Sequence, residues 1–255
     1  VCVIIKHANP CGVAFGATLK EAYLSALACD KNSAFGGIVA FNKILDEDTA
    51  KELIKLFTEV VIAPDITEIA KKVFETKKNL RLLTASKTRN NGCLQNQIHS
   101  VSGGLLVQSI DNYKISSSEL KVVTKREPTS DETIDLMFAW KVAKHVKSNA
   151  IVFAKNGATK GIGAGQMSRV DSTRMASLKF QDLKSLSKQS EEYEEDIVLA
   201  SDAFFPFPDG LIKAAEAGVT AIIQPGGSLG DNEVIEVADR LGIAMVFTGK
   251  RHFRH

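Results

Sequence analysis

Cysteine is scarce and carries no pairing signal: Cys2, Cys11, Cys29 and Cys93 form no C-x-x-C pair and have no histidine at zinc-finger spacing. Neither a zinc ribbon nor a disulfide framework is indicated, and the thiols are expected to be reduced. No apolar run approaches the roughly 18 residues needed to cross a bilayer, and no basic segment followed by an apolar one opens the chain. An excess of charge is missing too, since 32 Lys+Arg against 30 Asp+Glu leave a formal net charge of +2 over 255 residues. That balance gives no electrostatic reason for nonspecific binding to nucleic acid or membranes. With 44% apolar and 24% charged residues the composition is globular and argues against a disordered or collagen-like chain. A cytoplasmic location is the expectation.

The chain opens on the apolar run Val1-Cys2-Val3-Ile4-Ile5 without an initiator Met or polar lead-in, so it reads as a piece of a longer polypeptide. Short β-branched runs at 1–5, 37–41, 60–63, 80–84 and 104–108 read as strands. Helical spacing of Leu19, Ala22, Tyr23 and Ala26 predicts a helix over 18–29, and the acidic start at Asp46 predicts another over 46–57. The alternation resumes with a helix over 131–147 and strands at 150–154, 197–200, 220–223 and 243–247. Such alternation favours an α/β fold with a sheet covered on both faces. Asn156-Gly157 adds one hairpin turn. The polar, Lys/Arg-containing stretch 109–130 separates two halves, 1–125 and 126–255, between which no sequence repeat is visible. The charged run 184–195 reads as a solvated surface.

Four segments offer chemistry. Lys6-His7-Ala8-Asn9-Pro10-Cys11-Gly12 ends a strand in a polar turn, the place where α/β sheets collect ligands. There the lysine's charge would favour a neutral, basic His7, although a plain turn with a surface Lys and a hydrogen-bonded His fits the same residues. GIGAGQMSR, ending at Arg169, places glycines before a helix where an anion can approach backbone amides, or where strand packing alone needs them. It is neither a dinucleotide fingerprint nor a nucleotide P-loop. SDAFFPFPDG, with Asp202, Phe204, Phe207 and Asp209, suits a pocket for a flat heterocycle, because Pro206 and Pro208 keep it out of a central strand, with core packing of the phenylalanines as the alternative. Gln224-Pro225-Gly226-Gly227-Ser228 and the basic ending at Arg251 are candidate anion sites, with a solvated tail as the alternative for the latter.

Taken together, KHANPCG, SAFGG, KSNAI, GIGAGQMSR, SDAFFPFPDG, QPGGS and MVFTGKRHFRH resemble, in order and over the whole chain, the formyltransferase part of the bacterial bifunctional purine biosynthesis proteins. The resemblance implies phosphoribosylaminoimidazolecarboxamide (AICAR) formyltransferase activity with 10-formyltetrahydrofolate as cosubstrate. It also implies two cytidine-deaminase-like α/β/α subdomains and a homodimer with active sites at the subunit interface. The family's inosine monophosphate cyclohydrolase domain is not among these residues, nor is an upstream segment that helps bind the substrate phosphate. By the same resemblance Lys6, His7 and Asn149 are catalytic. Phe35, Gly36, Arg169, Phe204, Asp209 and Arg251 bind substrate, and Phe207 and Ser228 lie on the folate side.

His7 is expected to take the amine proton while Lys6 and Asn149 stabilise the tetrahedral oxyanion. Zinc deaminases carry H-x-E and P-C-x-x-C ligands, of which only Pro10-Cys11 is present, so no zinc is expected. Some relatives hold potassium near the residues matching Ser148 and Asp202. Here Ala150 lacks the hydroxyl, and the guanidinium of Arg254 is expected to replace the ion. The rival readings are a zinc nucleoside deaminase and a nonenzymatic nucleotide-binding module.

Overall fold

A computed structural model describes residues 1–85, 96–186 and 196–255. Strands β1 (Cys2–Lys6) and β2 (Asn9–Ala14) form an antiparallel hairpin. They are followed by α1 (Leu19–Cys29), α2 (Lys31–Ala34), β3 (Gly37–Phe41), α3 (Glu47–Leu53), β4 (Thr58–Ala63), α4 (Glu68–Phe74) and β5 (Arg81–Thr84). Next come a ribbon of β6 (Asn96–Val101) and β7 (Gly104–Ser109), the short β8 (Lys121–Val122) and α5 (Ser130–Ala143). A second hairpin, β9 (Ile151–Lys155) and β10 (Ala158–Gly163), leads into α6 (Arg169–Leu186), β11 (Ile197–Ser201), α7 (Asp209–Glu216), β12 (Val219–Gln224), α8 (Asp231–Arg240) and β13 (Ala244–Phe247). Hairpin, helix, and three parallel strands separated by helices thus occur twice, a repeat of topology that the sequence does not display.

All strands but the ribbon join one sheet of 11, ordered β5-β4-β3-β1-β2-β10-β9-β11-β12-β13-β8. The halves meet at β2–β10, where Ala14 pairs with Ala158 and Thr159 Oγ1 accepts from the Val13 amide at 3.0 Å. Across this seam Lys179 bridges Asp30 at 2.9 Å. The parallel triplets are β3-β4-β5 and β11-β12-β13, whereas the hairpins run antiparallel.

The expectation of a sheet covered on both faces holds for the second half alone. Helix α5 packs on one face of β9, β11 and β12, burying Leu136, Ala139, Ala143, Val152, Val198 and Ile223. Helices α6, α7 and α8 cover the other face, around Phe153, Phe180, Leu199 and Ile222. In the first half α1, α3 and α4 line one face. Over the opposite face of β1 and β3 the described residues leave a cavity of about 650 Å³ lined by Val3, Ile5, Ala40 and Phe138. The expected strand at 104–108 does form, but as β7 of the ribbon, exposed on both faces.

Local chemistry explains most element ends. Thr18 caps α1 with a full capping box to Glu21, and Asp46 caps α3 through the Thr49 amide at 2.8 Å. Helix α3 ends at Leu53 rather than 57, and the Phe57 carbonyl accepts from the Gly36 amide at 2.8 Å instead of continuing a helix. Strand β2, which the sequence presents as a turn, tolerates Pro10 because it lies at a bulge opposite Ile5. Cys2, Cys11 and Cys29 are buried free thiols, and burial pushes them up to about 12, 11 and 12 respectively, so all three stay protonated. Cys93 and the charged run from 187 to 195 lie outside the described residues.

Glu132 ties three elements together. Its carboxylate accepts from the Thr129 amide at 2.8 Å, from Thr220 Oγ1 on β12 at 2.6 Å, and from both Arg126 terminal nitrogens. Burial alone would raise its pKa, but the hydrogen bonds from Arg126, Thr220 and Thr129 hold it below the ordinary 4.5. A depressed carboxylate stabilises the fold above its ordinary pKa and loses that contribution as pH falls through the folded value. Glu132→Gln is therefore expected to cost about 1–3 kcal/mol at neutral pH. The gap should close as urea unfolding is repeated below the ordinary 4.5; a gap of equal size in acid would contradict this account.

Candidate active site

Strand directions collect every candidate residue along one rim of the sheet. Lys6 ends β1 beside Gly37, the start of β3, while Asn9 starts β2. In the second half Gly163 ends β10 beside Ile151, the start of β9, and Ser201, Gln224 and Phe247 end β11, β12 and β13. The second half thus presents the carboxyl ends of its parallel strands to this rim, the usual ligand edge of such sheets. The first half presents the opposite ends of its own.

Lys6 donates from Nζ to the Phe35 carbonyl, next to Gly36 at φ +65°. The Phe35 ring lies 5.2 Å from that of Phe57, and both rings are exposed. His7 occupies the tip of the β1–β2 turn at φ +54° and lines the 650 Å³ cavity together with His145 and Arg254. Burial and then the Arg254 charge hold His145 below its ordinary pKa, so it is neutral at pH 7. Lys6 and His7 thus face different surroundings despite being adjacent. The turn is fixed to the second half by Asn9, whose Oδ1 accepts from the Lys147 amide at 2.8 Å.

The segment after Lys147 contains a cis peptide between Ser148 and Asn149. The Asn149 side-chain amide donates to the Gln166 carbonyl at 2.8 Å, and its own carbonyl accepts from Ser172 Oγ at the same distance. A cavity of about 340 Å³ gathers Asn149, Ser168, Arg169, Phe204, Phe207 and Asp209. Asp209 opens α7 there, Phe207 is 65% exposed, and Phe205, between Phe204 and Phe207, is core. Arg251 stacks its guanidinium 4.6 Å above the Phe204 ring. Ser228 sits in the neighbouring loop after β12, where Gly226 and Gly227 adopt positive φ and Ser228 Oγ accepts from the Gly230 amide at 3.1 Å. Gln224, buried, braces this region by accepting from the Phe205 amide at 2.9 Å.

Arg169 is already matched. Its side chain is 9% exposed and pairs with Asp202, 0% exposed, while also donating to Ser201 Oγ at 2.9 Å. Asp202 accepts in addition from Ser148 Oγ and from the Ala150 amide at 3.1 Å. This corrects the expectation for Arg254. The guanidinium beside Asp202 is that of Arg169, whereas Arg254 donates to the His145 carbonyl at 3.2 Å. Asp202 Oδ1 thus accepts from Arg169 and the Ala150 amide, while Oδ2 accepts from Ser148 Oγ. Among the described residues no group of three His, Cys, Asp or Glu side chains could hold a metal ion, and no helix is long and apolar enough to cross a membrane.

At the glycine loop the packing alternative is the one the structure takes for two of its glycines. Gly161 and Gly163 belong to β10, and a Cβ on them would sit 2.2 Å from the Ala176 carbonyl oxygen and 1.8 Å from that of Ser172, both in α6. Gly12 of β2 meets the Ala26 carbonyl oxygen of α1 in the same way, at 1.9 Å. These glycines let a helix lie against its hairpin; they do not cradle an anion.

A family model described as the AICARFT/IMPCHase bienzyme matches residues 1–179. Three similar curated proteins all carry the description bifunctional purine biosynthesis protein PurH. That of Bartonella bacilliformis is 61% identical over 252 residues, 99% of this chain and 47% of its own. The Brucella anthropi protein is 60% identical over 252 residues, with the same coverage of 99% and 47%. The Dinoroseobacter shibae protein is 60% identical over 254 residues, 100% of this chain and 48% of its own. The chain belongs to the AICARFT/IMPCHase bienzyme family. It spans about half the length of the curated relatives it matches.

For a member of that family the rim holds residues that motif reading did not single out. Phe57 faces Phe35 and fixes the Gly36 amide, yet its position at the end of an amphipathic run marked it as helix. Phe253 lines the Asn149 cavity from within a tail that reads as basic. Neither has a signal in spacing, because both are brought to the rim by the sheet order alone.

Proposed function

We propose that this chain is the formyltransferase part of its bienzyme, moving a formyl group from 10-formyltetrahydrofolate to the amine of AICAR in the cytoplasm, without zinc. The observation carrying this is the cavity that joins Asn149 to Phe204, Phe207 and Asp209 with Arg251 stacked at its side: a flat heterocycle, a hydrogen-bonding amide and a cation for phosphate. Arg251 takes the substrate phosphate, Phe204 and Asp209 hold the imidazole, and Phe207 and Ser228 flank the folate. Arg169, its charge matched by Asp202, shapes the substrate wall rather than supplying net charge.

In the reaction the amine nitrogen attacks the formyl carbon, His7 accepts the amine proton, and Lys6 and Asn149 stabilise the oxyanion until the folate nitrogen leaves with a proton. Phe35 and Gly36 support the Lys6 end. Those two lie at β3 while Arg251 follows β13, seven strand spacings away, which is roughly 30 Å at about 4.8 Å per strand. A single ribonucleotide does not bridge that gap. Two copies, each bringing its Lys6–Phe35 end to the other's Arg251 end, would close the site, which supports a homodimer. The repeated topology supports reading residues 1–125 and 126–255 as two cytidine-deaminase-like subdomains.

The test is absorbance-monitored tetrahydrofolate formation from 10-formyltetrahydrofolate with and without AICAR. Turnover that requires AICAR and rises more steeply than linearly with protein concentration supports both the transfer and the dimer. A folded protein that neither binds AICAR nor releases tetrahydrofolate refutes the reading.

A further inference from the structure

The stretch between the halves, which the sequence presents as a polar linker, runs back along the arm that carries Arg251. Lys121 and Val122 of β8 pair antiparallel with Phe247 and Val246 of β13. Moving backwards along the linker and forwards along the arm, Lys250 Nζ lies 5.0 Å over the Tyr113 ring. One step further, Asp111 Oδ2 meets His252 Nδ1 at 2.5 Å.

His252 is only 2% exposed. Its ring packs 4.7 Å from Trp140 of α5, and its backbone amide donates to the Asp202 carbonyl at 3.0 Å. Asp111 is held in turn by Lys144 Nζ at 3.3 Å, and Lys144 also donates to the Tyr113 carbonyl at 2.9 Å. Burial alone would raise the Asp111 pKa, but its bonds to His252 and Lys144 lower it overall, so it meets the imidazole as a carboxylate. The residue between the arm's two anchored neighbours, Lys250 and His252, is Arg251 over Phe204.

We propose that Asp111 is a positioning residue: by gripping His252 from the linker, it orients the arm so that Arg251 stands at Phe204 ready for the substrate phosphate. This rests on the reading of Arg251 as the phosphate ligand. Asp111 touches no substrate, so its effect must pass through Arg251 and must concern the phosphate alone.

The test measures the affinity of the full chain for AICAR and for its riboside, which lacks the phosphate. Asp111→Ala should weaken AICAR binding about tenfold, the scale of one hydrogen bond to a charged group, and leave riboside binding unchanged. Asp111→Asn, which keeps an acceptor for Nδ1–H, should recover part of the loss. In an Arg251→Ala background Asp111→Ala should have no further effect. Equal weakening of AICAR and riboside, an undiminished effect in the Arg251→Ala background, or no weakening at all would each overturn the positioning role. If the unmodified protein bound AICAR no better than the riboside, the phosphate reading of Arg251 would itself fall and take the proposal with it. A melting curve for each variant separates these outcomes from loss of fold.

Discussion

Replacing Asp202 with alanine is expected to remove about 3–5 kcal/mol of stability, the penalty typical of breaking one side of a buried ion pair. The carboxylate is fully buried and accepts from Arg169, Ser148 Oγ and the Ala150 amide. Its loss strands a guanidinium that is itself 9% exposed. Against the 5–15 kcal/mol that usually separates folded from unfolded states, this is a large fraction, and the melting temperature should drop by roughly 10 °C. The stranded cation, rather than lost attraction, is the main cause. Asp202→Leu combined with Arg169→Met should therefore be much less damaging than Asp202→Ala alone. If calorimetry showed the double variant to be the weaker, the pair's own attraction would be dominant and this explanation wrong.

The second large effect is kinetic. Single-turnover formyl transfer by His7→Asn is expected to fall by about 10²–10⁴, the usual contribution of one positioned acid/base group. Asparagine is chosen because His7 has φ +54°; Asn adopts that left-handed conformation more readily than Ala, so backbone strain does not contaminate the rate. The side chain is exposed at a turn tip, so stability should change by no more than about 0.5 kcal/mol. An unaltered transfer rate in a normally folded His7→Asn protein would remove His7 from the mechanism and leave Lys6 to be tested as the base.

How much of this was legible beforehand depended on whether the cause was local. Alternation of strand and helix, the starts of the helices at 18 and 46 and the Asn156-Gly157 turn are set by neighbouring residues, and the structure has helices beginning just after Thr18 and Asp46 and the turn in the β9–β10 hairpin. Pro10 and Gly12 misled for a physical reason. They usually signal a turn, but one sits at a bulge and the other is glycine because α1 presses on it. For Gly161 and Gly163 the sequence left packing and an anion loop both open, since proximity to a helix that comes later in the chain has no local signature. Among candidate residues, Asn149, Arg169, Phe204, Phe207 and Asp209 meet in one cavity. That Arg169 answers to Asp202, or that Asp111 reaches His252 across 141 positions, follows from the sheet order and could not be read from either residue's neighbours.

The doubled topology has a consequence for how freely the protein can vary. The two halves turn opposite ends of their parallel strands toward the candidate residues, so the far rim of the sheet holds none of them. The loop after β3, where Lys43 and Ile44 are exposed, and the turn at Asp65 belong to that rim. On the proposed assignment, length changes and inserted reporters there are expected to leave formyl transfer unchanged, whereas insertions in the loops after β10, β11 and β12 or in the arm after β13 are expected to abolish it. The proposed chemistry thus constrains one edge of the sheet and makes no demand on the other.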